Sequence, residues 1–162
     1  MQRPLLVSLV LVFTLCVPAG GQAPGDPSRN FGFRFEYGLC TSEVLDTFKG
    51  IFTREMKPAP DLSVPLTLEA ESLTEIHRAI ADARFFEYPS EFRPGVPNFA
   101  PGYHYRLTVQ EAGRRHSVFW HDNARPSTPE AGRLRQLFTT MRQVISAHPK
   151  VQQLPRANAA CG

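Results

Sequence analysis

The sequence contains few cysteines, which excludes a fold built mainly on disulfide bonds. There are three in 162 residues, whereas small secreted domains held by disulfides use several pairs. Its N-terminal apolar run, Leu5 to Val17, is shorter than the roughly 20 residues of a membrane-spanning helix. The formal net charge of +3 provides no strong field for binding nucleic acid. We therefore expect no nucleic-acid partner and no stable membrane span in the mature chain.

Several catalytic motifs that a sequence can reveal are also missing. It has no Gly-x-Ser-x-Gly elbow, no HExxH pair and no glycine-rich phosphate loop. Neither Cys40 nor Cys161 has a neighbouring histidine in a recognisable arrangement. The sequence therefore predicts no catalytic, cofactor-binding or metal-binding residue. It favours a protein that is not an enzyme, with a small hydrolase of unknown type as an alternative.

The N-terminus has the pattern of an export signal. Arg3 supplies a positive start, the apolar run follows, and Val17-Pro18-Ala19 offers small residues at positions −3 and −1 of a cleavage site. This pattern predicts that residues 1–19 are a signal peptide and that the mature protein is secreted or periplasmic. Cys16 leaves a lipid anchor as an alternative, although Leu15 is larger than the residue that usually precedes a lipidated cysteine.

Removal of the signal would leave Cys40 and Cys161 as the only cysteines. Because exported proteins meet conditions in which disulfides persist, we expect these two residues to be bonded to each other. Two free thiols are the alternative.

Alternation of apolar and polar residues predicts strands in the first half of the chain. Aromatic residues occupy every second position over 31–37, and apolar residues alternate over 64–68, with Pro65 suited to an edge strand. Residues 43–53 are interpreted as one extended segment. A helix is predicted from about Ala70, because one apolar stripe follows at intervals of three and four: Leu73, Ile76, Ile80 and Ala83.

The second half of the chain opens with a proline-rich segment, residues 89–102, that we interpret as an irregular loop. A hairpin then turns at Ala112-Gly113, and keeping its apolar residues on one face places Tyr105 opposite Trp120. Thr128-Pro129-Glu130 is typical of a helix start. The helix that it begins carries the clearest apolar stripe in the chain: Leu134, Leu137, Phe138, Met141, Val144 and Ile145.

The order of strands, helix, strands and helix predicts an α+β fold. Its two layers would be a mainly antiparallel sheet and two helices packed on one face of that sheet. Short turns between strands argue against a parallel sheet, which needs longer connections. Residues 31–155 are expected to form a single domain between a flexible leader over 20–30 and a C-terminal tail over 156–162, and the protein is expected to be a monomer.

A candidate contact surface lies on the outer face of the predicted hairpin. Trp120 is expected to lie beneath the second helix. Because side chains alternate along a strand, four residues of the hairpin should then lie on the opposite face: His104, Arg106, Phe119 and His121. Aromatic and arginine side chains are enriched among the residues that dominate binding energies. The two opposed histidines alone do not make a zinc site, which needs at least three protein ligands. We therefore interpret them as solvent-side histidines beside Arg106.

Three segments of the sequence resemble an uncharacterised family of bacterial exported α+β proteins. These are Leu45 to Thr53, the corner Phe85-Phe86-Glu87-Tyr88-Pro89 and the late Leu154-Pro155. This resemblance covers most of residues 31–155 and implies no particular activity. The helix ending in Phe-Phe, with the hairpin from Tyr103 to His121, is more weakly similar to emfourin-type metalloprotease inhibitors.

Our expectation for function is a secreted, non-enzymatic domain that binds an unknown protein or another extracytoplasmic ligand. The weaker resemblance implies inhibition of a metalloprotease as the alternative. No cofactor is expected.

Overall fold

The chain folds into a seven-stranded sheet with helices on one of its faces. The structure is a computed structural model that describes residues 30–97, 101–125 and 128–157. The strands of the sheet lie in the order β4-β3-β2-β1-β7-β8-β5, and a separate pair is formed by β6 and β9. The strand bounds are β1 (Gly32–Gly38), β2 (Ser42–Asp46), β3 (Ile51–Arg54), β4 (Leu62–Pro65), β5 (Glu91–Phe92), β6 (Val96–Pro97), β7 (Tyr103–Glu111), β8 (Arg114–Asp122) and β9 (Ala124–Arg125).

Three α-helices and one 3-10 turn complete the described elements. They are α1 (Ala70–Asp82), the 3-10 turn Phe85–Glu87, α2 (Pro129–Ala147) and α3 (Pro149–Gln152). All pairings within the large sheet are antiparallel except that between β5 and β8. The predicted α+β class, with two long helices against a mostly antiparallel sheet, is confirmed.

The aromatic alternation predicted for the first strand is present in β1. Phe33, Phe35 and Tyr37 are buried on the helix side, while the residues between them lie on the other face. On β7 and β8 the same side carries a buried apolar row in which Tyr105 is paired with Trp120. The hairpin register that the sequence predicts is therefore confirmed, and so is the turn. Ala112 and Gly113 both have positive φ angles, as a two-residue turn between twisted strands requires.

The interpretation of residues 43–53 as one extended segment is wrong, because these residues form a hairpin. The chain reverses between β2 and β3, where Asp46 Oδ1 accepts hydrogen bonds from the backbone N–H groups of Phe48 (3.1 Å) and Lys49 (3.2 Å). Gly50 completes the turn with a φ of +65°, which glycine adopts without steric cost. Asp46 and Gly50 thus form a turn within a run of residues whose apolar pattern favours one continuous strand.

Two further boundaries differ from those expected. The strand expected over 64–68 is β4, which begins at Leu62 and ends at Pro65; it lies at the edge of the sheet, as the proline predicts. The segment expected to be an irregular loop over 89–102 contains two short strands, β5 and β6. Both pair with distant partners, β8 and β9, so local sequence carries little signal for them.

Helix α2 begins where the sequence predicts. Thr128 Oγ1 accepts a hydrogen bond from the backbone N–H of Ala131 at 3.2 Å, and Pro129 occupies the first turn. The helix crosses the sheet, with Phe138 stacked against Tyr105 (ring centroids 4.5 Å apart) and Phe35 (5.3 Å). One hydrophobic cluster joins these residues to the buried side chains of α1, Ile76 and Ile80.

Several expectations concern residues outside the described part of the chain. These are the signal peptide over 1–19, the lipid-anchor alternative at Cys16, and most of the leader over 20–30 and of the tail over 156–162. Cys40 is half-buried in the turn between β1 and β2, but Cys161 is not among the described residues. The bond between these cysteines stays a prediction.

Two buried tyrosines differ in how well their hydroxyl groups are hydrogen-bonded. Tyr88 donates to the backbone carbonyl of Glu130 at 2.7 Å, whereas the buried hydroxyl of Tyr37 lies near the Glu43 carboxylate but forms no hydrogen bond of normal geometry with the described residues. We expect Tyr88→Phe to lower the free energy of unfolding by about 1 kcal/mol, since it removes one hydrogen bond. Tyr37→Phe removes a hydroxyl group without a hydrogen bond of normal geometry, so it should lower the free energy of unfolding by less than Tyr88→Phe does. Urea unfolding of both variants tests this difference, and a larger loss in Tyr37→Phe would contradict it.

Candidate contact surface on the open face of the sheet

One face of the sheet is not covered by any of the described helices. Its side chains come from alternate positions of the strands, opposite in direction to the buried aromatic residues. We call it the open face. The cross-strand pairing brings all four residues of the predicted contact surface to it, with Arg106 opposite Phe119 and His104 opposite His121.

The two central residues of this surface contact each other. The Arg106 guanidinium carbon lies 5.1 Å from the centre of the Phe119 ring, within the range of a cation–π interaction. Arg106 is exposed and Phe119 is half-buried. The partial cover comes from the segment around β5, where the Ser90 carbonyl accepts a hydrogen bond from the Phe119 backbone N–H at 2.8 Å. Phe119 thus faces away from the core as expected, but the edge strand shields part of it.

The two histidines are held by separate hydrogen bonds. His104 Nε2 lies 3.0 Å from Ser42 Oγ, and His121 Nε2 donates to the Gly102 carbonyl at 3.2 Å. Burial lowers the pKa of His104, an effect that the nearby Glu36 carboxylate opposes. Within the described residues, no group of three or more His, Cys, Asp or Glu side chains is arranged to hold a metal ion. Each histidine is thus held in place by its own hydrogen bond, and the two form part of the contact surface.

A shallow pocket of about 220 Å³ adjoins the surface on the side of β5. Phe119 and His121 form one wall of the pocket, and the segment from Glu91 to Gly95 forms the opposite wall. Glu91 and Arg93 form an ion pair with each other. Sequence reasoning missed this pocket because a strand of two residues in a proline-rich segment has no periodicity to recognise.

A second arginine–aromatic pair lies on the open face, and the sequence did not predict it. The β2–β3 turn folds Phe48 over Gly32, whose missing side chain makes room for the ring: a Cβ atom at Gly32 would lie 2.7 Å from Phe48. The guanidinium carbon of Arg115 lies 5.3 Å from the centre of the Phe48 ring. Phe48 stays 43% exposed, an unusual position for a phenylalanine. In the sequence, the residues that could have indicated this position of Phe48 are Asp46 and Gly50, which form the turn.

The charges on the open face are unevenly paired. Arg34 donates to Glu36 at 3.0 Å, so these two side chains neutralise each other. Neither Arg106 nor Arg115 forms an ion pair with any residue that the structure describes. The open face thus presents two exposed arginines that each lie against an aromatic ring and form no ion pair with the described residues.

Comparison with known proteins gives no family for the chain. No protein-family model matches the sequence, and a search of curated proteins finds no similar protein. No described helix is long and apolar enough to cross a membrane.

Proposed function

We propose that the protein is a secreted, non-enzymatic domain that binds an extracytoplasmic protein through the open face of its sheet. The observation that carries this proposal is the pair of arginine–aromatic contacts, Arg106 with Phe119 and Arg115 with Phe48. Arginine and aromatic side chains supply a large share of the binding energy at protein interfaces. Because both arginines lack a carboxylate partner among the described residues, they favour a partner surface rich in Asp and Glu.

The chain provides a closely matched control for this proposal. Arg114 and Arg115 are neighbours in β8 and both are exposed, but their side chains lie on opposite faces of the sheet. Arg114 also stacks on a phenylalanine, since its guanidinium carbon lies 4.4 Å from the centre of the Phe86 ring. Arg114→Ala therefore removes the same chemistry as Arg115→Ala from the face that is not proposed to bind.

The experiment is affinity capture from an extracytoplasmic extract, with the chain from residue 20 onwards as bait. We expect a captured protein whose affinity falls about tenfold or more in Arg106→Ala and in Arg115→Ala and is unchanged in Arg114→Ala. Binding should also weaken as salt is added, because exposed charges are screened. Capture that all three variants retain equally, or the absence of any captured protein, would contradict the proposal. A captured metalloprotease that loses activity on binding would assign the emfourin-type role.

A further inference from the structure

The edge of the sheet at β8 is only partly covered by another strand. Strand β8 has nine residues, and β5 pairs with two of them, Phe119 and Trp120. Among the described residues, no strand lies on this side of the stretch from Arg114 to Val118. Ser117, within that stretch, is exposed. The opposite edge of the sheet, β4, has four residues and ends in a proline. The β8 edge is therefore the one with more room for a further strand.

Two residues of this stretch direct their backbone polar groups away from the hairpin. The backbone N–H of Phe119 donates to the Ser90 carbonyl at 2.8 Å, so at this position β8 points its polar groups away from β7. Because this direction alternates along a strand paired on one side, the N–H and C=O groups of Arg115 and Ser117 point the same way. None of the described residues forms a hydrogen bond to these outward groups. They can therefore pair with an added extended chain.

The helix side of this edge is bordered by the segment that follows α1. The guanidinium carbon of Arg114 lies 4.4 Å from the centre of the Phe86 ring, and His116 Nε2 donates to the Tyr88 carbonyl at 2.8 Å. Phe86 is half-buried. A strand added to the edge would direct every second side chain to this side. Apolar side chains at those positions would bury more of the Phe86 ring, which is favourable.

The open side of the same edge has a positive charge that the described residues do not balance. Arg115 lies opposite Gln110 in the hairpin and forms no ion pair with any described residue. On the helix side, by contrast, Arg114 lies opposite Glu111, so a carboxylate is already present there. The charge pattern therefore favours an added strand with acidic side chains on its open side and apolar side chains on its helix side.

The other carboxylates near this edge already have cationic partners. Glu87 forms an ion pair with Arg84 at 2.8 Å, and Glu91 forms one with Arg93. Each pair is neutral, so neither adds a net negative charge that would repel an acidic segment. A second copy of this chain is a poorer occupant, because the ladder would then contain two copies of Arg115 and no carboxylate to balance them.

We propose that an extended acidic segment of the partner protein adds to the β8 edge as a further strand. Its backbone pairs with the outward N–H and C=O groups of Arg115 and Ser117. Its acidic side chains lie on the open side, where Arg115 supplies the opposite charge, and its apolar side chains lie beside Phe86. In this mode of recognition, main-chain hydrogen bonds supply affinity and alternate side chains supply specificity. The inference rests on the proposed function, because it specifies which part of an acidic partner binds beside the open face.

The test uses a peptide with acetylated and amidated ends, Thr-Val-Glu-Val-Glu-Val-Thr, and the chain from residue 20 onwards. NMR measures how fast the backbone amide protons exchange with water. In the free chain we expect rapid exchange at Arg115 and Ser117, whose N–H groups are unpaired. Saturating peptide should slow that exchange about tenfold or more, because both groups become hydrogen-bonded. The amides of His116 and Val118, which point towards β7, should not exchange rapidly in either state.

Two modified peptides separate charge from backbone pairing. Replacing both Glu residues by Gln removes the negative charge, and N-methylation of both Glu residues removes two backbone donors while keeping the charge. We expect each change to weaken binding about tenfold or more, because strand addition needs both interactions. A peptide attracted by charge alone would tolerate N-methylation.

Two variants at Ser117 provide the matched test in the protein. Ser117→Pro and Ser117→Ala both remove the hydroxyl group that lies 2.7 Å from Thr108 Oγ1, but only proline also removes the outward N–H. Proline is tolerated in a strand where its nitrogen faces away from the ladder. We expect Ser117→Pro to weaken peptide binding about tenfold or more, and Ser117→Ala to change it by less than about twofold. Circular dichroism confirms that each variant is folded.

The inference is overturned if the acidic peptide does not bind saturably or if either modified peptide binds as tightly. It is also overturned if folded Ser117→Pro binds as well as Ser117→Ala, or if the free chain forms a dimer that Ser117→Pro prevents. If the peptide fails while capture of a protein still depends on Arg106, only the strand addition is wrong. If the peptide binds as expected while the captured protein does not depend on Arg106, the proposed role of the open face is wrong.

Discussion

Replacing Trp120 by alanine should lower the free energy of unfolding by about 3–5 kcal/mol, the usual cost of deleting a large buried aromatic side chain. Trp120 is 1% exposed and lies among three aromatic rings: Tyr105, Phe92 and Phe138 have centroids 6.0, 5.5 and 6.2 Å from its own. The guanidinium carbon of Arg135 lies 5.3 Å from the ring. Alanine would leave a cavity that these packed groups fill only in part.

The neighbouring residue provides the comparison for this prediction. Phe119 lies on the other face of β8 and is half-buried, so Phe119→Ala should cost less than half as much as Trp120→Ala. Urea or guanidinium unfolding of the two variants, with the unmodified chain as reference, measures both losses. Equal losses would mean that both faces of the hairpin are buried to the same extent, and would remove the basis for a contact surface at Phe119.

Replacing Phe138 by alanine should also lower the free energy of unfolding by about 3–5 kcal/mol. Phe138 is 0% exposed and packs against aromatic rings of β1, β7 and β8. Its removal leaves the ring of Tyr105, 4.5 Å away, without the surface on which it stacks. Denaturant unfolding followed by circular dichroism measures the loss.

The exposed Phe48 is a suitable control for this second prediction. Phe48→Ala deletes the same number of atoms, but from a ring that is 43% exposed, and its cost should be much smaller than that of Phe138→Ala.

A double variant at Trp120 and Phe138 should be less destabilised than the sum of the single losses, because the two rings share neighbours. Full additivity would show that the two side chains are not part of one packed cluster.

Sequence patterns predicted the parts of the fold that local chemistry determines. The alternation in β1 and the turn at Ala112 and Gly113 specified the hairpin register, because a shift by one residue would expose Trp120. The cap at Thr128 located the start of α2. The four residues of the contact surface were found from the same parity argument, which needs only the turn and the apolar face.

Features that depend on distant contacts were not predictable in this way. The turn between β2 and β3 was missed because its apolar neighbours suggested one long strand, so the position of Phe48 over Gly32 was missed too. Strand β5 has two residues and exists through its pairing with β8.

The shortness of the two outermost strands bears on how the protein behaves at high concentration. Strand β4 has four residues and ends in a proline, while β5 has two residues. A long flat edge strand exposes unpaired backbone groups on which another copy can add, and this is a common route to aggregation. At the β4 edge few such groups are present, and its proline has no N–H to donate. At the other edge β5 pairs with only two of the nine residues of β8, so the addition of a strand from another copy is disfavoured at one side of the sheet and less so at the other.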